Sequence, residues 1–148
     1  GWSAAAVTYG GDQRASDEGL DVVVEVPDPA FNTGFIPRGN TGYQVKRENV
    51  ARAAIVREMK PAGELRPSIV DLGIRNGAYV IISSLGSTSH KELRRRRRAI
   101  AEALEGSTID GRLATDFYDR NRMATWVRDH AGLILWVRKR IGKAVPGR

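Results

Sequence analysis

The sequence has no cysteine and only two histidines, and it has no long apolar run. Without cysteine there is neither a disulfide framework nor a thiolate metal site, which agrees with a reducing compartment. No segment approaches the roughly 20 apolar residues that a membrane-spanning helix needs, and no secretory signal pattern opens the chain. His90 and His130 have no ligand partner at metal-binding spacing. We therefore expect a cytoplasmic protein without a membrane partner, in which both histidines are structural or surface residues.

Acidic residues are also few in comparison with basic ones. The 148 residues include 24 lysines and arginines but 17 aspartates and glutamates, which gives a net charge of +7. An excess of positive charge favours a polyanionic partner, nucleic acid first and an acidic membrane second. The length and the 41% apolar content are those of one folded domain. Since the chain opens at Gly1 without a methionine, we expect residues 1–148 to be a single domain excised from a larger multidomain protein.

Two segments, 20–26 and 78–84, have the β-branched and nearly continuous apolar character of strands. The second is apolar on both faces, which is typical of a central strand. Alternation along the first places Leu20, Val22, Val24 and Val26 on one face and Asp21, Val23 and Glu25 on the other. Two shorter strands are predicted at 42–47 and 115–118, and a long loop at 27–41.

Helical spacing of apolar residues predicts most of the remaining elements. Residues 1–10 suit either a short strand or the tail of a helix. Helices are predicted at 48–60, at 68–75, from Ser87 or Ser89 through 105, at 120–130 after an Asp119 cap, and at 133–141. This order of strands and helices predicts an α/β fold, a mixed β-sheet flanked by α-helices.

Polar residues that suit phosphodiester chemistry occur within two of these strands. Gln44 and Lys46 share a strand face, and Asp21 interrupts an otherwise hydrophobic strand. Mg²⁺ prefers oxygen ligands, so the Asp21 carboxylate, the Gln44 amide oxygen and the Val45 backbone carbonyl would form a partial shell. Lys46 would orient or help deprotonate the attacking water and offset charge on the transition state.

An ordinary structural interpretation accounts for the same residues. Lys46 and Arg47 would be exposed strand residues, Gln44 would pair across the sheet, and Asp21 would cap a turn. Spacing alone leaves both interpretations open, because an aspartate followed by Q-x-K recurs by chance. Glu18 is either a solvated loop residue or an accessory metal ligand. Glu25 is a poorer ligand candidate, since about 13 Å of strand would separate it from Asp21 at roughly 3.3 Å per residue.

A family resemblance bears on this choice. Gly19-Leu20-Asp21 followed, after a variable loop, by Tyr43-Gln44-Val45-Lys46-Arg47 resembles the Mrr-like branch of the PD-(D/E)xK restriction-endonuclease superfamily. That branch typically has Gly-hydrophobic-Asp at the start of one strand and Q-x-K-R at the end of the next. The resemblance covers about residues 16–105 and implies a restriction-endonuclease-like fold. The chain departs from the family pattern in two ways. Its intervening loop is long, and the family's leading helix is missing or lies outside this chain.

The resemblance also implies an activity. Asp21 would bind the metal, Gln44 would replace the second acidic ligand, and Lys46 would be catalytic. The domain would then be a Mg²⁺-dependent endonuclease, with Mn²⁺ able to substitute, that hydrolyses double-stranded DNA. It would act as a homodimer or as an oligomer through a larger parent protein, since each site cuts one strand. Such domains are effectors of bacterial restriction and anti-phage defence. The alternatives are a catalytically weak nucleic-acid-binding module with the same fold, and a protein-interaction domain with an acidic partner.

Five consecutive arginines, residues 94–98, lie in the predicted helix that ends at 105. Consecutive residues sweep all faces of a helix, so they do not form one stripe. Arg97 falls on the apolar stripe of Leu93, Ile100 and Leu104, which predicts a stem on the core and a guanidinium that reaches solvent. The expected phosphate-contacting residues are Arg47, Arg94, Arg95, Arg96 and Arg98. A solvated basic helix is the alternative.

Overall fold

The computed structural model of the protein describes residues 6–9, 20–25, 34–47, 50–84 and 89–129. The backbone alone is described at 6–9 and 126–129. In chain order the elements are β1 (Ala6–Tyr9), β2 (Val22–Glu25), β3 (Asn40–Lys46), α1 (Arg52–Met59), α2 (Pro67–Ile74), β4 (Ala78–Ser83), α3 (His90–Leu104), β5 (Ala114–Tyr118) and α4 (Arg120–Asp129). Predicted features at Glu18, His130 and 133–141 lie outside the described residues.

The five strands form one mixed sheet in the order β1-β2-β3-β4-β5. β1, β2 and β3 pair antiparallel, while β3, β4 and β5 run parallel. Helices α1 and α2 connect β3 to β4, and α3 connects β4 to β5, as parallel strands require a crossover. The mixed α/β fold predicted from the sequence is therefore confirmed. Because β3, β4 and β5 are parallel, their carboxyl-terminal ends lie at the same end of the sheet.

The strand predictions hold best where the strand is central. All six residues of β4 are buried, as its apolar sequence predicts. β3 begins at Asn40 rather than at Gly42, because its first two residues pair with β2. The predicted alternation is wrong for Leu20, since β2 begins at Val22 and the chain bends at Asp21. The Leu20 side chain consequently joins the opposite core cluster from its predicted partners, Val22 and Val24.

Apolar side chains pack on both faces of the sheet. One face is covered by α1, α2 and α3, and we call it the helical face. Its core includes residues from each of these helices and from the sheet: Leu20, Ile55, Met59, Ile69, Leu72, Tyr79, Ile81, Ala99, Ile100, Ala103, Leu104 and Phe117. The opposite face buries Val24, Phe35, Ile36, Tyr43, Val80, Ile82 and Tyr118. Alternation along β3 therefore directs Gln44 and Lys46 to the helical face.

Helix starts follow the capping residues that the sequence predicts. The Ser89 side chain accepts a hydrogen bond from the Glu92 N–H at 3.2 Å, and α3 begins at the next residue. The Asp119 carboxylate accepts from the Arg122 N–H at 3.0 Å, at the start of α4. Pro67 occupies the first turn of α2, where a missing N–H is harmless. Over the described ranges, no helix combines the length and apolarity that crossing a membrane requires.

The arginine run divides into buried and exposed side chains. Arg96 is only 5% exposed, its Nε donates to the Val50 carbonyl at 2.7 Å, and its guanidinium lies 5.4 Å from the centre of the Phe117 ring. The prediction that Arg96 contacts nucleic acid is therefore wrong. Ile100 and Leu104 of the predicted stripe are buried, but the arginine that joins them is Arg96 rather than Arg97. Arg97 is 40% exposed at its side chain and donates to Asp116 at 2.7 Å.

We predict that Arg96→Ala lowers the free energy of unfolding by about 2–4 kcal/mol, because it removes a buried hydrogen bond and a packed aliphatic stem. Arg98→Ala is the matched control, since Arg98 is exposed on the same helix. It should change stability by no more than about 0.5 kcal/mol. Urea denaturation followed by circular dichroism measures both values. Similar effects of the two substitutions would contradict the buried role of Arg96.

Candidate functional site

Asp21 is tied to the middle of β3 by two hydrogen bonds. Its backbone N–H donates to the Tyr43 carbonyl at 2.8 Å. Its carboxylate Oδ2 accepts from the Val45 N–H at 2.7 Å. The two bonds go to the residues on either side of Gln44. Asp21 therefore lies across from Gln44, just before β2 begins. The predicted neighbourhood of Asp21 and Gln44 is thus present in the structure.

The Asp21 carboxyl group lies in an unfavourable place for a charge. Burial raises the pKa of Asp21 above its usual value, and the negative charge of Glu58 acts in the same direction. The Val45 N–H and the Lys46 ammonium oppose this shift of the pKa. Both Lys46 and Glu58 are therefore near enough to affect the Asp21 charge. Placing a carboxylate here costs stability that a neutral side chain would not cost.

Gln44 is buried with an amide oxygen that has no hydrogen-bond partner within the described part of the chain. The residue is 8% exposed. Gln44 does pair across the sheet, opposite Ile81 of β4, but this pairing leaves its amide oxygen without a described partner. A buried amide oxygen without a partner is costly, and such groups often mark the position of a ligand. Across the β2–β3 pair, Gln44 lies opposite Asp21.

Lys46 ends β3 and points into the protein rather than to solvent. Its Nζ donates to Glu58 Oε2 at 2.8 Å, and the lysine side chain is 23% exposed. Glu58 is also 3.5 Å from an Arg66 guanidinium nitrogen, and Arg66 Nε donates to the Glu58 carbonyl at 2.6 Å. The next residue, Arg47, is exposed. The ordinary exposed-strand interpretation therefore fits Arg47 but not Lys46.

Glu58 is the site residue that the sequence analysis missed. It lies on α1, 12 residues after Lys46. That helix was predicted from the spacing of its apolar residues alone. Only the folding of α1 back onto the helical face brings Glu58 to the end of β3. The available signal was an acidic residue beside Met59, the last buried position of the helix. That signal is weak, because acidic residues commonly flank buried ones on surface helices.

A cleft of about 310 Å³ opens beside the Lys46–Glu58 pair. It is lined by Lys46, Val50, Ala54, Arg57, Glu58 and Pro61. Arg57 is exposed and forms no ion pair with the residues that the structure describes. Within the described part of the chain, the cleft thus contains Arg57 without an ion-pair partner and Lys46 paired with Glu58, beside Val50, Ala54 and Pro61. Cations of this kind form strong hydrogen bonds with phosphate.

The other predicted ligands have different outcomes. Val45 adjoins the cluster, and its N–H is used by Asp21. Glu25 is opposite Asn40, at the far end of β3 from Lys46, and lies 3.7 Å from the Arg75 guanidinium. Among the described residues, no group of three or more histidine, cysteine, aspartate or glutamate side chains is arranged to hold a metal. The oxygen donors here are two carboxylates and one amide.

The chain was compared with protein-family models, curated proteins and solved structures, and it matched none of them. The cluster of Asp21, Gln44, Lys46 and Glu58 is consequently the observation on which a function can be based. We call these four residues the charged cluster. It combines two carboxylates, one amide and one ammonium group on β3, on α1 and just before β2.

We predict that Asp21→Asn raises the melting temperature at pH 7. The amide keeps an acceptor for the Val45 N–H and removes the buried charge. Because the folded pKa of Asp21 is raised, the folded state holds the proton to higher pH than the unfolded chain does. The stability of the wild type therefore falls as the pH rises from about 4 through the folded pKa.

The measurement is the melting temperature of both proteins as a function of pH. The gain from Asp21→Asn should vanish below about pH 3, where the carboxyl group is protonated in both states. Asp71→Asn is the control, because Asp71 is exposed and pairs with Arg75 on the surface. It should give no gain at pH 7. A gain from Asp21→Asn that persists at low pH would contradict a charge effect.

Proposed function

We propose that this chain is a divalent-metal-dependent DNA endonuclease domain of the restriction-endonuclease-like kind. The observation that carries the proposal is the charged cluster, in which a strand-borne Gln44 and Lys46 meet Asp21 and a second carboxylate. The antiparallel β2–β3 pair that bears the site, extended by the parallel β4, supports the proposed fold type. The resemblance of the sequence motifs to the Mrr-like branch supports it independently.

The donor set fits a hard divalent cation such as Mg²⁺. Asp21, Gln44 and Glu58 offer oxygen atoms, and the Gln44 oxygen has no partner among the described residues. Mg²⁺ is usually held by one or two carboxylates and keeps several waters, and Mn²⁺ accepts the same ligand types. When bound, such a cation would supply positive charge that polarises the scissile phosphate and lowers the pKa of a water. The Val45 carbonyl and Glu18 stay proposed additional ligands.

Lys46 is the residue proposed to act on the substrate. Its ammonium group leaves Glu58, donates to the phosphate or the attacking water, and offsets the negative charge of the transition state. The water oxygen forms the new bond to phosphorus as the bond to the leaving sugar oxygen breaks. Asp21 and Gln44 are held in register by the β2–β3 ladder, which limits the reorganisation that the reaction requires.

Exposed arginines on β3, α1 and α3 support binding to the DNA backbone. Arg47 follows Lys46, Arg57 lines the cleft, and Arg94 and Arg98 lie one turn apart on the exposed side of α3. Arg95 is also exposed, but it pairs with Glu92 at 3.1 Å. Side chains of this kind contact phosphates without reading bases. Double-stranded DNA is the proposed substrate, cut by a homodimer or a larger oligomer in restriction or anti-phage defence.

The decisive experiment is a plasmid-nicking assay with Mg²⁺ or Mn²⁺, and with EDTA. We expect cleavage that EDTA abolishes and that Lys46→Ala lowers by about 100-fold or more. Lys91→Ala is the matched control, since it removes one lysine charge from an exposed position in the first turn of α3. It should cut within a few-fold of the wild type.

Other outcomes separate the alternatives. Metal-independent cutting, or equal cutting by the wild type and Lys46→Ala, would reject the proposed site. DNA binding without cutting would favour a catalytically weak binding module with the same fold. Neither binding nor cutting at moderate salt would favour a protein-interaction domain.

A second prediction concerns the DNA-binding surface. Arg94→Ala and Arg98→Ala should each weaken DNA binding and lower the slope of log K against log salt by about 0.9 if each arginine contacts one phosphate. Arg75→Ala is the control, because Arg75 lies just before the start of β4, at the other end of the sheet from Lys46, and pairs with Glu25 and Asp71. Fluorescence anisotropy across a salt series measures the slopes. Equal slopes for all three variants would remove α3 from the interface.

A further inference from the structure

Arg66 binds two consecutive carbonyl groups at the end of α1. Its Nε donates to the Glu58 carbonyl at 2.6 Å, and its backbone N–H donates to the Met59 carbonyl at 3.0 Å. The last carbonyls of a helix have no partner inside the helix, and a basic side chain also interacts favourably with the negative end of the helix dipole. These two bonds by themselves would make Arg66 a helix cap.

The backbone of Arg66 is set by the residue that follows it. A proline disfavours helical backbone angles at the preceding residue, and Arg66, which precedes Pro67, has φ −59° and ψ 140°. Arg66 is also the residue just before the first turn of α2. It therefore joins the end of one helix to the start of the next, with its backbone held at both.

The Arg66 guanidinium also meets the side chain of the residue whose carbonyl it binds. One of its nitrogens lies 3.5 Å from Glu58 Oε1, while Lys46 Nζ donates to Glu58 Oε2 at 2.8 Å. None of the three side chains is more than 23% exposed, so water screens their charges less than it would on the open surface. Glu58 therefore lies between two cations, one at each carboxylate oxygen.

This double contact restricts the Glu58 side chain more than one ion pair would. A single ion pair leaves a glutamate much of its rotational freedom. The guanidinium group is a rigid planar fork, so the bond from Arg66 Nε to the Glu58 carbonyl fixes where the other nitrogen meets the Glu58 carboxylate. A carboxylate accepts at about four positions, so these contacts leave capacity for a further ligand.

We propose that Arg66 is a positioning residue that holds the Glu58 carboxylate in place against Lys46 within the charged cluster. Its value to a reaction rests on the proposed nuclease function, whereas its effect on the Lys46–Glu58 pair does not. Arg66 acts through Glu58 and contacts neither the substrate nor the reacting atoms. Without it, Glu58 keeps its charge but loses its fixed orientation, and Lys46 loses a fixed partner.

The test is a double-mutant cycle between Lys46 and Glu58, measured in the wild type and again in Arg66→Met. Urea denaturation of the parent, Lys46→Met, Glu58→Gln and the double variant gives the coupling between the two side chains. Loss of a helix cap alone lowers the stability of all four proteins equally and leaves the coupling unchanged. We expect the coupling to fall when Arg66 is replaced. An unchanged or larger coupling would overturn the proposal.

Arg66→Lys is the second background if Arg66→Met folds poorly. It keeps a positive charge near Glu58 but replaces the planar fork with a single ammonium group, so the coupling should again fall. Arg52→Met is the matched control, because Arg52 also lies on α1 and pairs with a different carboxylate, that of Glu102. It should leave the coupling at the wild-type value. An equal fall in Arg52→Met would contradict a role specific to Arg66.

Measurements on DNA separate this inference from the proposed function. If the wild type cuts DNA, Arg66→Met should lower kcat about tenfold and leave the dissociation constant for DNA unchanged. The slope of log K against log salt should also stay unchanged, because Arg66 is engaged with Glu58 and contacts no phosphate. Unchanged kcat, or a smaller slope, would overturn the positioning role and leave the nuclease assignment intact. Failure of the wild type to cut would reject the nuclease assignment alone, since the coupling experiment requires no cutting.

Discussion

The hydrogen bond from the Val45 N–H to the Asp21 carboxylate, at 2.7 Å, joins β3 to the start of β2 at the charged cluster. It holds a carboxylate across from Gln44 and one residue from Lys46, although 24 residues separate its two ends in the chain. Without it, Asp21 would be an ordinary polar residue in a bend. The rest of the charged cluster depends on this position, because the charges of Lys46 and Glu58 act on the same carboxyl group.

This arrangement is unfavourable for stability and is held by the surrounding core. The pKa of Asp21 is raised by burial, and two buried polar atoms, on Gln44 and Tyr79, lack partners in the described part of the chain. A protein built for stability alone would place apolar groups at these positions. The fully buried β4 and the helices on one face supply the packing that offsets these costs. Asp21 and Gln44 bring two of these local costs together where β2 and β3 pair, which is typical of functional sites.

The arginine run shows how the same residue type takes different roles within one helix. Arg96 is part of the core, Arg97 pairs with Asp116, and Arg94 and Arg98 are exposed. Sequence spacing predicted the buried Ile100 and Leu104 of α3 but not that Arg96, the neighbour of Arg97, is the arginine in the core. The position of the Val50 carbonyl decided between them, since it accepts the Arg96 hydrogen bond. A charge run therefore identifies a basic helix but not which of its cations are free.

Local patterns determined the mixed α/β class, the buried β4, the cap at Asp119, and the shared face of Gln44 and Lys46, and they narrowed the cap of α3 to Ser87 or Ser89. Each of these follows from the period of a strand or helix or from the chemistry of a single turn, which neighbouring residues decide. Tertiary structure alone decided that Leu20 changes sides, that Glu58 pairs with Lys46, and that the Tyr79 hydroxyl is buried without a partner among the described residues. These features require α1 to fold back on the sheet and β2 to begin at a bend. They arise from contacts between segments distant in sequence, which no local period encodes.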